Sequence, residues 1–302
     1  MNLINRFKSK KAYLTDMFLG KYFPKKLADK VYKQRVGTTK GINWDKPKDL
    51  NEKINWLKFY SNTKEWSRLA DKYAVRDFIK ERGWEDILVQ LYGVWDNAKQ
   101  IDFASLPNSF VLKTNNGSGT VWIVKDKQHE DLEKLRKQVD EALKQTFGII
   151  YGEPHYSRIK PKVIAEEFLI ETNPVSSSLV DYKMWCFDGE YFGSWTCYNR
   201  HGFVAKTEWH DAAWNYHPEW SVFNEHYQDG EGKLAKPVNY EKMIEIAKSL
   251  SKGFPQVRVD LYNINGKVYF GEMTFTSMGG YMDCYSQEAL DTMGAMIKLK
   301  KK

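Results

Sequence analysis

The chain has 302 residues, 42% hydrophobic and 15% aromatic, which is enough material for two or three packed lobes. No apolar run is long enough to cross a bilayer, and no apolar leader follows the basic N-terminus, so we expect a cytoplasmic protein. The three cysteines include no CxxC pair and the six histidines show no HxH or HExxH spacing, which argues against a disulfide framework or a zinc site. We therefore expect Cys186, Cys197 and Cys284 to be reduced and partly buried.

The positive charge of the chain is concentrated near its N-terminus. Residues 1–40 contain eleven Lys or Arg, Arg6 and Lys8 among them, against Asp16 and Asp29. This basic arm therefore carries +9, and the rest of the chain carries −2 of the net +7. Such an arm is typical of contact with anionic lipid or a polyanionic glycan, and equally of a solvated surface. We expect no nucleic-acid partner, and peripheral contact with the inner face of an anionic membrane is the specific hypothesis.

The first part of the chain is predicted to be helical. Residues 1–45 have an irregular helical pattern that is interrupted at Pro24. Residues 49–52, Asp-Leu-Asn-Glu, resemble a capping box and predict the start of a helix. Along that helix, Trp56 and Tyr60 lie one turn apart and are expected to stack.

The middle of the chain alternates between predicted helices and strands. Residues 199–235 show little periodicity, are rich in Trp and His, and suggest a long functional loop in which the histidines are exposed. The remaining segments are a helix (68–81), two strands around a turn-rich loop (109–113 and 120–124), a helix (130–145), a strand (163–169), two strands around Asp188-Gly189 (181–187 and 190–197), a helix ending before Gly253, and a last hairpin (257–262 and 267–275).

The last hairpin carries the strongest chemical pattern. With a three-residue loop at 264–266, Arg258 would lie opposite Glu272 with Asp260 diagonal to it, and Thr274 would share their face. A two-residue loop would send Glu272 to the other face. Two neighbouring carboxylates with oxygen-only surroundings favour Mg²⁺ bound together with nucleotide phosphates. The alternative is a solvent-facing sheet with an ordinary Arg–Glu cross-strand pair.

Three further patterns are weak when taken singly. Lys113 precedes a glycine-containing loop, Gly117-Ser118-Gly119, which could hold phosphate through backbone N–H groups or be a common hairpin turn. Glu166-Glu167 follows an apolar strand and could face an adenine edge or be a surface charge pair. Lys72 lies in a predicted helix and would be an ordinary exposed lysine.

In this order, the segments resemble the TupA-like branch of the ATP-grasp superfamily, named for teichuronopeptide biosynthesis. The matching stretches are LADKYAVRDFI, FVLKTNNGSG, VIAEEFL, DYKMWCFDG and VRVDLY…GKVYFGEMTF. The resemblance implies an α+β ATP-grasp fold, in which two α+β lobes with mixed or antiparallel sheets grip ATP between them, plus a helical N-terminal region. The implied domains are a basic helical extension (1–45), an N-terminal lobe (46–108), a small ATP-grasp subdomain with the glycine-rich loop (109–175) and a large subdomain with the Mg site (176–302).

The resemblance also implies roles for single residues. Nucleotide contacts fall to Lys72, Lys113, the loop Gly117, Ser118 and Gly119, and, for adenine, Glu166, Glu167 and the backbone of Leu169. Arg258 would stabilise the transferring phosphoryl group, Lys183 would position phosphate or the acyl group, and Asp260 and Glu272 would bind Mg. Thr274 stands where ATP-grasp proteins generally have Asn, so its role as a metal ligand and the number of Mg ions stay open.

The implied activity is an ATP- and Mg-dependent carboxylate–amine ligase that works through an acyl phosphate. The implied partners are a sugar carboxylate or glycan and an amine such as an amino acid, in a surface-polysaccharide pathway such as capsule or teichuronopeptide synthesis. A glycosyltransferase of the same pathway is one alternative, although no Asp-x-Asp signal occurs. A non-catalytic glycan-binding protein, suggested by eleven Trp and eighteen Tyr, is another, and a kinase that ends at phosphoryl transfer is a third.

Overall fold

Two β-sheets organise the chain in a computed structural model that describes residues 10–145 and 147–299. The basic residues Arg6 and Lys8 lie outside the described residues. The described chain forms two compact units, unit 1 with residues 10–30, 62–77 and 89–168, and unit 2 with residues 31–61, 78–88 and 169–299. One sheet is antiparallel and the other mixed, which confirms the predicted α+β class.

The elements are given in chain order. The helices are α1 Lys10–Tyr22, α2 Pro24–Val36, α3 Leu50–Tyr60, α4 Lys64–Ala70, α5 Val75–Glu81, α6 Leu132–Leu143, α7 Phe147–Ile150, α8 Tyr240–Ser251 and α9 Gln287–Met296. The strands are β1 Leu91–Trp95, β2 Phe110–Thr114, β3 Val121–Val124, β4 Val163–Glu166, β5 Asp181–Phe187, β6 Glu190–His201, β7 Val204–Asp211, β8 Tyr227–Asp229, β9 Val257–Ile264 and β10 Lys267–Thr274.

Unit 1 is built on a four-stranded antiparallel sheet with the order β1-β4-β2-β3. Helix α6 begins at the N-cap Asp131, whose carboxylate accepts a hydrogen bond from the Lys134 amide at 2.9 Å. Its apolar side buries Leu135 and Val139 in a core shared with Phe110 of β2. The predicted amphipathic helix is confirmed, and it backs the strand that carries Lys113.

The predicted helix from 68 to 81 is wrong, because the chain breaks there into α4 and α5. The Asp71 carboxylate accepts hydrogen bonds from the amides of Tyr73 (2.8 Å) and Ala74 (3.1 Å), so it competes with helix continuation. The Lys72 amide donates instead to the Asn115 carbonyl at 3.2 Å. The break therefore ties Lys72 to the loop that follows β2.

Unit 2 is built on a six-stranded sheet with the order β10-β9-β5-β6-β7-β8, in which only the β7–β8 pair is parallel. Helix α8 packs against β5, β6 and β9. It covers the face that carries Cys186, which lies next to Ser251 at the end of the helix. Because strand side chains alternate, Asp181, Lys183 and Trp185 point to the other face. That second face carries the charged residues described below.

The segment after β10 is held by helix α3 in the same unit. Asp49 caps the helix as predicted, accepting from the Glu52 amide at 2.8 Å, while Glu52 reaches the amide of Lys48 and not that of Asp49. The Asn51 amide group donates to the Met282 carbonyl at 3.1 Å and its oxygen accepts from the Met282 amide at 2.8 Å. This buried pairing fixes the chain that leaves the hairpin.

The predicted loop at 199–235 is wrong in part, because it contains the end of β6 and strands β7 and β8. Strands β7 and β8 were not predicted because the segment is long and its apolar positions are interspersed with Trp and His. His210 is buried, contrary to the prediction of exposed histidines, and burial lowers its pKa to about 4. All three cysteines are free and fully buried, more so than predicted.

Candidate functional site

The hairpin β9–β10 reaches the predicted face by a different route. Its loop has two residues, Asn265 and Gly266, both with positive φ, and Lys267 pairs with Ile264. The predicted three-residue loop is therefore wrong. A β-bulge between Phe270 and Glu272 adds one residue and returns Glu272 to the predicted face. The predicted pairing of Glu272 with Arg258 is wrong, because Glu272 lies opposite Asp260 and Thr274 lies opposite Arg258.

Gly271 is the residue that makes this bulge possible. A Cβ at Gly271 would lie 2.9 Å from the Asp260 carbonyl oxygen, closer than real Cβ contacts allow. Only glycine permits the two backbones to approach in this way. The pairing that sets Glu272 opposite Asp260 thus depends on Gly271, which the sequence did not single out.

The face of the unit 2 sheet opposite α8 carries a row of alternating charges, most of them buried, that we call the charge ladder. Its members are Glu272 on β10, Arg258 and Asp260 on β9, Lys183 and Asp181 on β5, and Arg200 on β6.

Asp260 is the centre of the charge ladder. Its Oδ1 accepts from Arg258 Nε at 2.7 Å, and its Oδ2 accepts from the same guanidinium at 2.8 Å and from Lys183 Nζ at 2.7 Å. Lys183 also donates to Asp181 Oδ2 at 2.6 Å. Bidentate pairing with Arg is the strongest geometry for such a contact, so the positions of these groups are tightly defined.

The pKa values follow from this pairing. Burial raises the pKa of Asp260, but Arg258 and Lys183 outweigh burial and hold it below its usual value. Burial likewise lowers the pKa of Lys183, yet Asp181 and Asp260 outweigh it and the net shift is upward. Asp260 and Lys183 therefore both stay charged at neutral pH, with Lys183 fixed between two carboxylates.

Glu272 and Thr274 complete this part of the site. Arg258 donates to Thr274 Oγ1 at 3.2 Å and to Glu272 Oε1 at 3.5 Å, and Thr274 donates to Glu272 Oε1 at 3.1 Å. Arg258 also contacts Ser277 Oγ, a buried hydroxyl just after β10. The guanidinium is thus held by four side chains and is rigid before any ligand arrives.

The oxygen donors on this face suit Mg²⁺. Asp260 and Glu272 lie directly opposite each other, and Asp260 Oδ1 accepts a single hydrogen bond, which leaves it a free lone pair. Among the described residues no three His, Cys, Asp or Glu side chains cluster to form a metal cage. A pair of carboxylates is a common protein contribution to a Mg²⁺ ion that takes its other ligands from water and phosphates.

Unit 1 carries a second charged group around Glu166 on β4. Lys113 Nζ donates to Glu166 Oε2 at 2.7 Å, and Arg76 donates to Glu166 Oε1 at 3.3 Å and to the Val89 carbonyl at 2.9 Å. Lys113 and Arg76 are both mostly buried. Two cations therefore share one carboxylate. Arg76 was missed from the sequence, although it lies in the motif LADKYAVRDFI together with Lys72.

The loop after β2 is anchored at its base and glycine-rich at its tip. Asn115 is fully buried, and its side chain accepts from the Lys162 amide at 2.7 Å and donates to the Lys160 carbonyl at 3.1 Å. At the tip, Lys72 Nζ donates to the Gly117 carbonyl at 2.7 Å, Ser118 is exposed, and Gly119 has a φ of 78°. A glycine-bearing loop beside a lysine is a suitable anion cradle.

The structure thus brings the predicted residues together in two sets, one in each unit. Lys72, Lys113, Glu166 and the glycine loop share unit 1, and Lys183, Arg258, Asp260, Glu272 and Thr274 share unit 2. The Glu167 amide donates to the Gln90 carbonyl at 2.9 Å at the end of unit 1, and Leu169, which is buried, begins the next segment of unit 2. Asp181, Arg200 and Ser277 were not predicted as site residues.

The TupA-like ATP-grasp family model matches residues 52–298, most of the chain. The chain belongs to this family. The assignment made from the motifs is confirmed. No curated protein matches the chain.

Solved structures that resemble this ATP-grasp protein include three ligases. The D-alanine–D-alanine ligase from Helicobacter pylori is 14% identical, with 84% of this chain and 68% of that chain covered and a TM-score of 0.47. The D-alanine–D-alanine ligase from Bacillus anthracis is 16% identical, with coverage of 76% and 66% and a TM-score of 0.46. The L-amino acid ligase from Bacillus licheniformis is 14% identical, with coverage of 72% and 43% and a TM-score of 0.41. The chain spans only 54% of the length of the ATP complex of the Bacillus anthracis enzyme.

Proposed function

We propose that this ATP-grasp protein is a Mg-ATP-dependent ligase that joins a carboxylate to an amine through an acyl phosphate. The observation that carries the proposal is the hairpin register, which sets Glu272 opposite Asp260 and places Arg258 against both in a family defined by ATP use. No protein nucleophile is required, because this chemistry depends on positioning and charge neutralisation.

In unit 2 we assign Asp260 and Glu272, with the Thr274 hydroxyl, to holding Mg²⁺. The ion would neutralise charge on the ATP phosphates and align them. Arg258 is fixed by Asp260 and Ser277 and would offer the second N–H of Nη1 to the transferring phosphoryl group. Lys183, charged and buried, would position phosphate or the acyl group.

The reaction would proceed in two displacements. A carboxylate oxygen of the acid attacks the γ-phosphorus of ATP, the bond to the β-phosphate oxygen breaks, and ADP leaves. The amine nitrogen then attacks the acyl carbon, the carbon–oxygen bond to phosphate breaks, and the proton lost by the nitrogen passes to the leaving phosphate, which gives an amide and inorganic phosphate. The oxygen that bridged carbon and phosphorus leaves with the phosphate.

In unit 1 we assign nucleotide contacts to Lys72, Lys113 and the loop at Gly117, Ser118 and Gly119. The Glu166 carboxylate already accepts from Lys113 and Arg76, which supports a role in orienting those two cations. Direct contact with the adenine edge is then best served by Glu167 and the backbone of Leu169.

The proposed acid is a sugar carboxylate or glycan and the proposed amine an amino acid or similar compound, in surface-polysaccharide synthesis. The resemblance of the motifs to the teichuronopeptide branch supports this assignment. The test measures ADP release from Mg-ATP across pairs of sugar acids and amino acids. Release that requires both partners would support a ligase, and release that never depends on an amine would contradict it.

The exposed apolar surface of α1 supports the proposal that the protein contacts a membrane from its cytoplasmic side. Leu14, Phe18 and Tyr22 on α1 recur at helical spacing and are each more than half exposed. Lys21 Nζ lies 5.2 Å from the Tyr22 ring, and Lys11 is also exposed. Exposed apolar residues flanked by lysines suit the interface of an anionic bilayer. In the part of the chain that the structure describes, no helix is long and apolar enough to span one.

A further inference from the structure

Arg200 lies at the end of the charge ladder, and its guanidinium is held in place while remaining partly exposed. Its guanidinium donates to Asp181 Oδ2 at 3.0 Å, while its side chain remains 46% exposed. A guanidinium has five N–H donors. Most of the donors of Arg200 are therefore available to a ligand on the same sheet face as Lys183.

A backbone irregularity aims Arg200 at this face. Regular alternation along β6 from Cys197, which lies opposite Asp181, would send residue 200 to the side covered by α8. The register instead breaks between Tyr198 and His201, and Asn199 adopts a positive φ of 48°. A non-glycine residue in this conformation is uncommon and persists only where its surroundings enforce it.

A run of three serines supplies that enforcement. Ser176 Oγ accepts from the Asn199 amide at 2.9 Å, and Ser178 Oγ accepts from the Arg200 amide at 2.9 Å. Ser177 Oγ donates to the Asn199 side-chain oxygen at 2.8 Å. Three hydrogen bonds thus fix a kinked backbone whose effect is to direct one cation. Bulges that re-aim side chains in this way are common next to active sites.

The position of Arg200 selects what it can bind. The strand order β9-β5-β6 puts Arg200 two strands away from Asp260, about 10 Å across the sheet at ~4.8 Å per strand, and Arg200 also lies five residues further along β6 than Trp195, which is in register with Asp260. The reacting carboxylate must lie beside the γ-phosphoryl group near Asp260 and Glu272. An anion held by Arg200 is therefore a different group, on the far side of the substrate pair.

We propose that Arg200 is the receptor for a second, non-reacting carboxylate of the substrates, presented by the Asn199 bulge and the serine run 176–178. This inference rests on the proposed ligase function and adds a substrate class to it. The carboxylate belongs either to an amino acid that acts as the amine or to a second acid group on the carboxylate donor. The planar guanidinium fork suits a carboxylate better than a point charge would.

The test is a thermal-shift titration of the full chain with Mg²⁺ and a non-hydrolysable ATP analogue. The probes are the common amino acids beside their neutral amides, and glucarate beside glucuronate. We expect at least one amino acid, or glucarate, to stabilise the protein while its partner lacking that carboxylate does not. Loss of a charged hydrogen bond should make Arg200→Gln require about 10- to 100-fold more ligand.

Two variants separate charge from presentation. Arg200→Lys keeps the positive charge but loses the bidentate guanidinium. Ser178→Ala keeps the guanidinium but removes the hydrogen bond that holds the Arg200 amide. Both should therefore weaken binding by less than Arg200→Gln does. Arg35→Gln is the matched control, because Arg35 is a half-exposed arginine with one ion pair, to Asp283. It should bind as wild type does.

The outcomes discriminate between the inference and the function on which it rests. Wild-type affinity in Arg200→Gln, equal binding of acids and amides, or no carboxylate that stabilises the wild type would each overturn the role of Arg200. An ATP analogue that fails to stabilise the wild type when added alone would count against the ligase proposal itself. Amino-acid and glucarate responses identify which substrate carries the carboxylate.

Discussion

Replacing Gly271 with alanine tests whether the bulge in β10 creates the metal-binding register. The new Cβ would lie 2.9 Å from the Asp260 carbonyl oxygen and 3.3 Å from the Tyr262 ring, against an ordinary contact of 3.4 Å or more. The two backbones must therefore separate by about half an ångström. Overpacking of this kind costs about 1–3 kcal/mol in free energy of unfolding. A displacement approaching 1 Å at a catalytic group costs about 100-fold in rate.

We therefore expect Gly271→Ala to remain folded, with a lower urea midpoint, and to lose about 10- to 100-fold in Mg-dependent ADP release. Urea unfolding followed by circular dichroism measures the first effect, and coupled detection of ADP measures the second. Phe203→Ala, at an exposed position in the turn between β6 and β7, is the control and should change neither. Wild-type stability and turnover in Gly271→Ala would refute the account of the bulge.

Further predictions concern each charged group and the α1 surface. Asp260→Ala should destabilise the protein by up to roughly 3–5 kcal/mol, because buried Arg258 would lose its bidentate partner and buried Lys183 would keep only Asp181, whereas Glu272→Gln, at a partly exposed side chain, should lose turnover with little change in the urea midpoint. Because pairing lowers the pKa of Asp260 below 3.8, its contribution to stability is full above that value and is lost as the pH falls through the lowered pKa; urea midpoints that do not fall between pH 5 and pH 3 would contradict this. Lys113→Ala should weaken binding of a fluorescent ATP analogue about 10-fold or more, and wild-type affinity would remove Lys113 from the nucleotide site. Phe18→Ser should reduce sedimentation of the protein with phosphatidylserine liposomes and leave its sedimentation with neutral liposomes unchanged. If the variant binds phosphatidylserine liposomes as well as the wild type does, the α1 surface is simply solvated.

The sequence predicted the fold where local patterns are strong. The Asp49 cap, the Trp56–Tyr60 contact at 5.0 Å and the α6 amphipathic pattern all depend on neighbours within one or two turns. Their outcome is set by spacing alone. The family assignment likewise depends on short motifs in a fixed order, and the match over residues 52–298 confirms it.

Prediction failed where one residue changes the register or ends a helix. The loop of the last hairpin is one residue shorter than predicted, and the bulge at Gly271 compensates, so Glu272 reached its predicted face for a reason that the pattern did not contain. Asp71 ended a helix that periodicity alone would have continued. Both effects come from backbone hydrogen bonding, which apolar periodicity does not record.

The acidic residues of the candidate site could be predicted from the sequence, but several of the residues that surround and position them could not. Asp260, Glu272, Lys183 and Asp181 belong to the recognised motifs, although no role was predicted for Asp181, whereas Arg200 gains its significance only from strand pairing. Arg200 in particular depends on a kink at Asn199 and on serines more than twenty residues away in sequence. Hydrogen bonds between residues so far apart in the sequence cannot be predicted from a single sequence unless the pairing of the strands is known.

The central claim, activation of a carboxylate by ATP, is tested most directly by following its oxygen. With an acid labelled with ¹⁸O in its carboxylate, a suitable amine and Mg-ATP, mass spectrometry of the released phosphate reports the origin of each oxygen. An acyl phosphate transfers one ¹⁸O atom to each phosphate that accompanies amide formation. Unlabelled phosphate throughout would mean that water had attacked ATP directly, and the ligase account would be wrong.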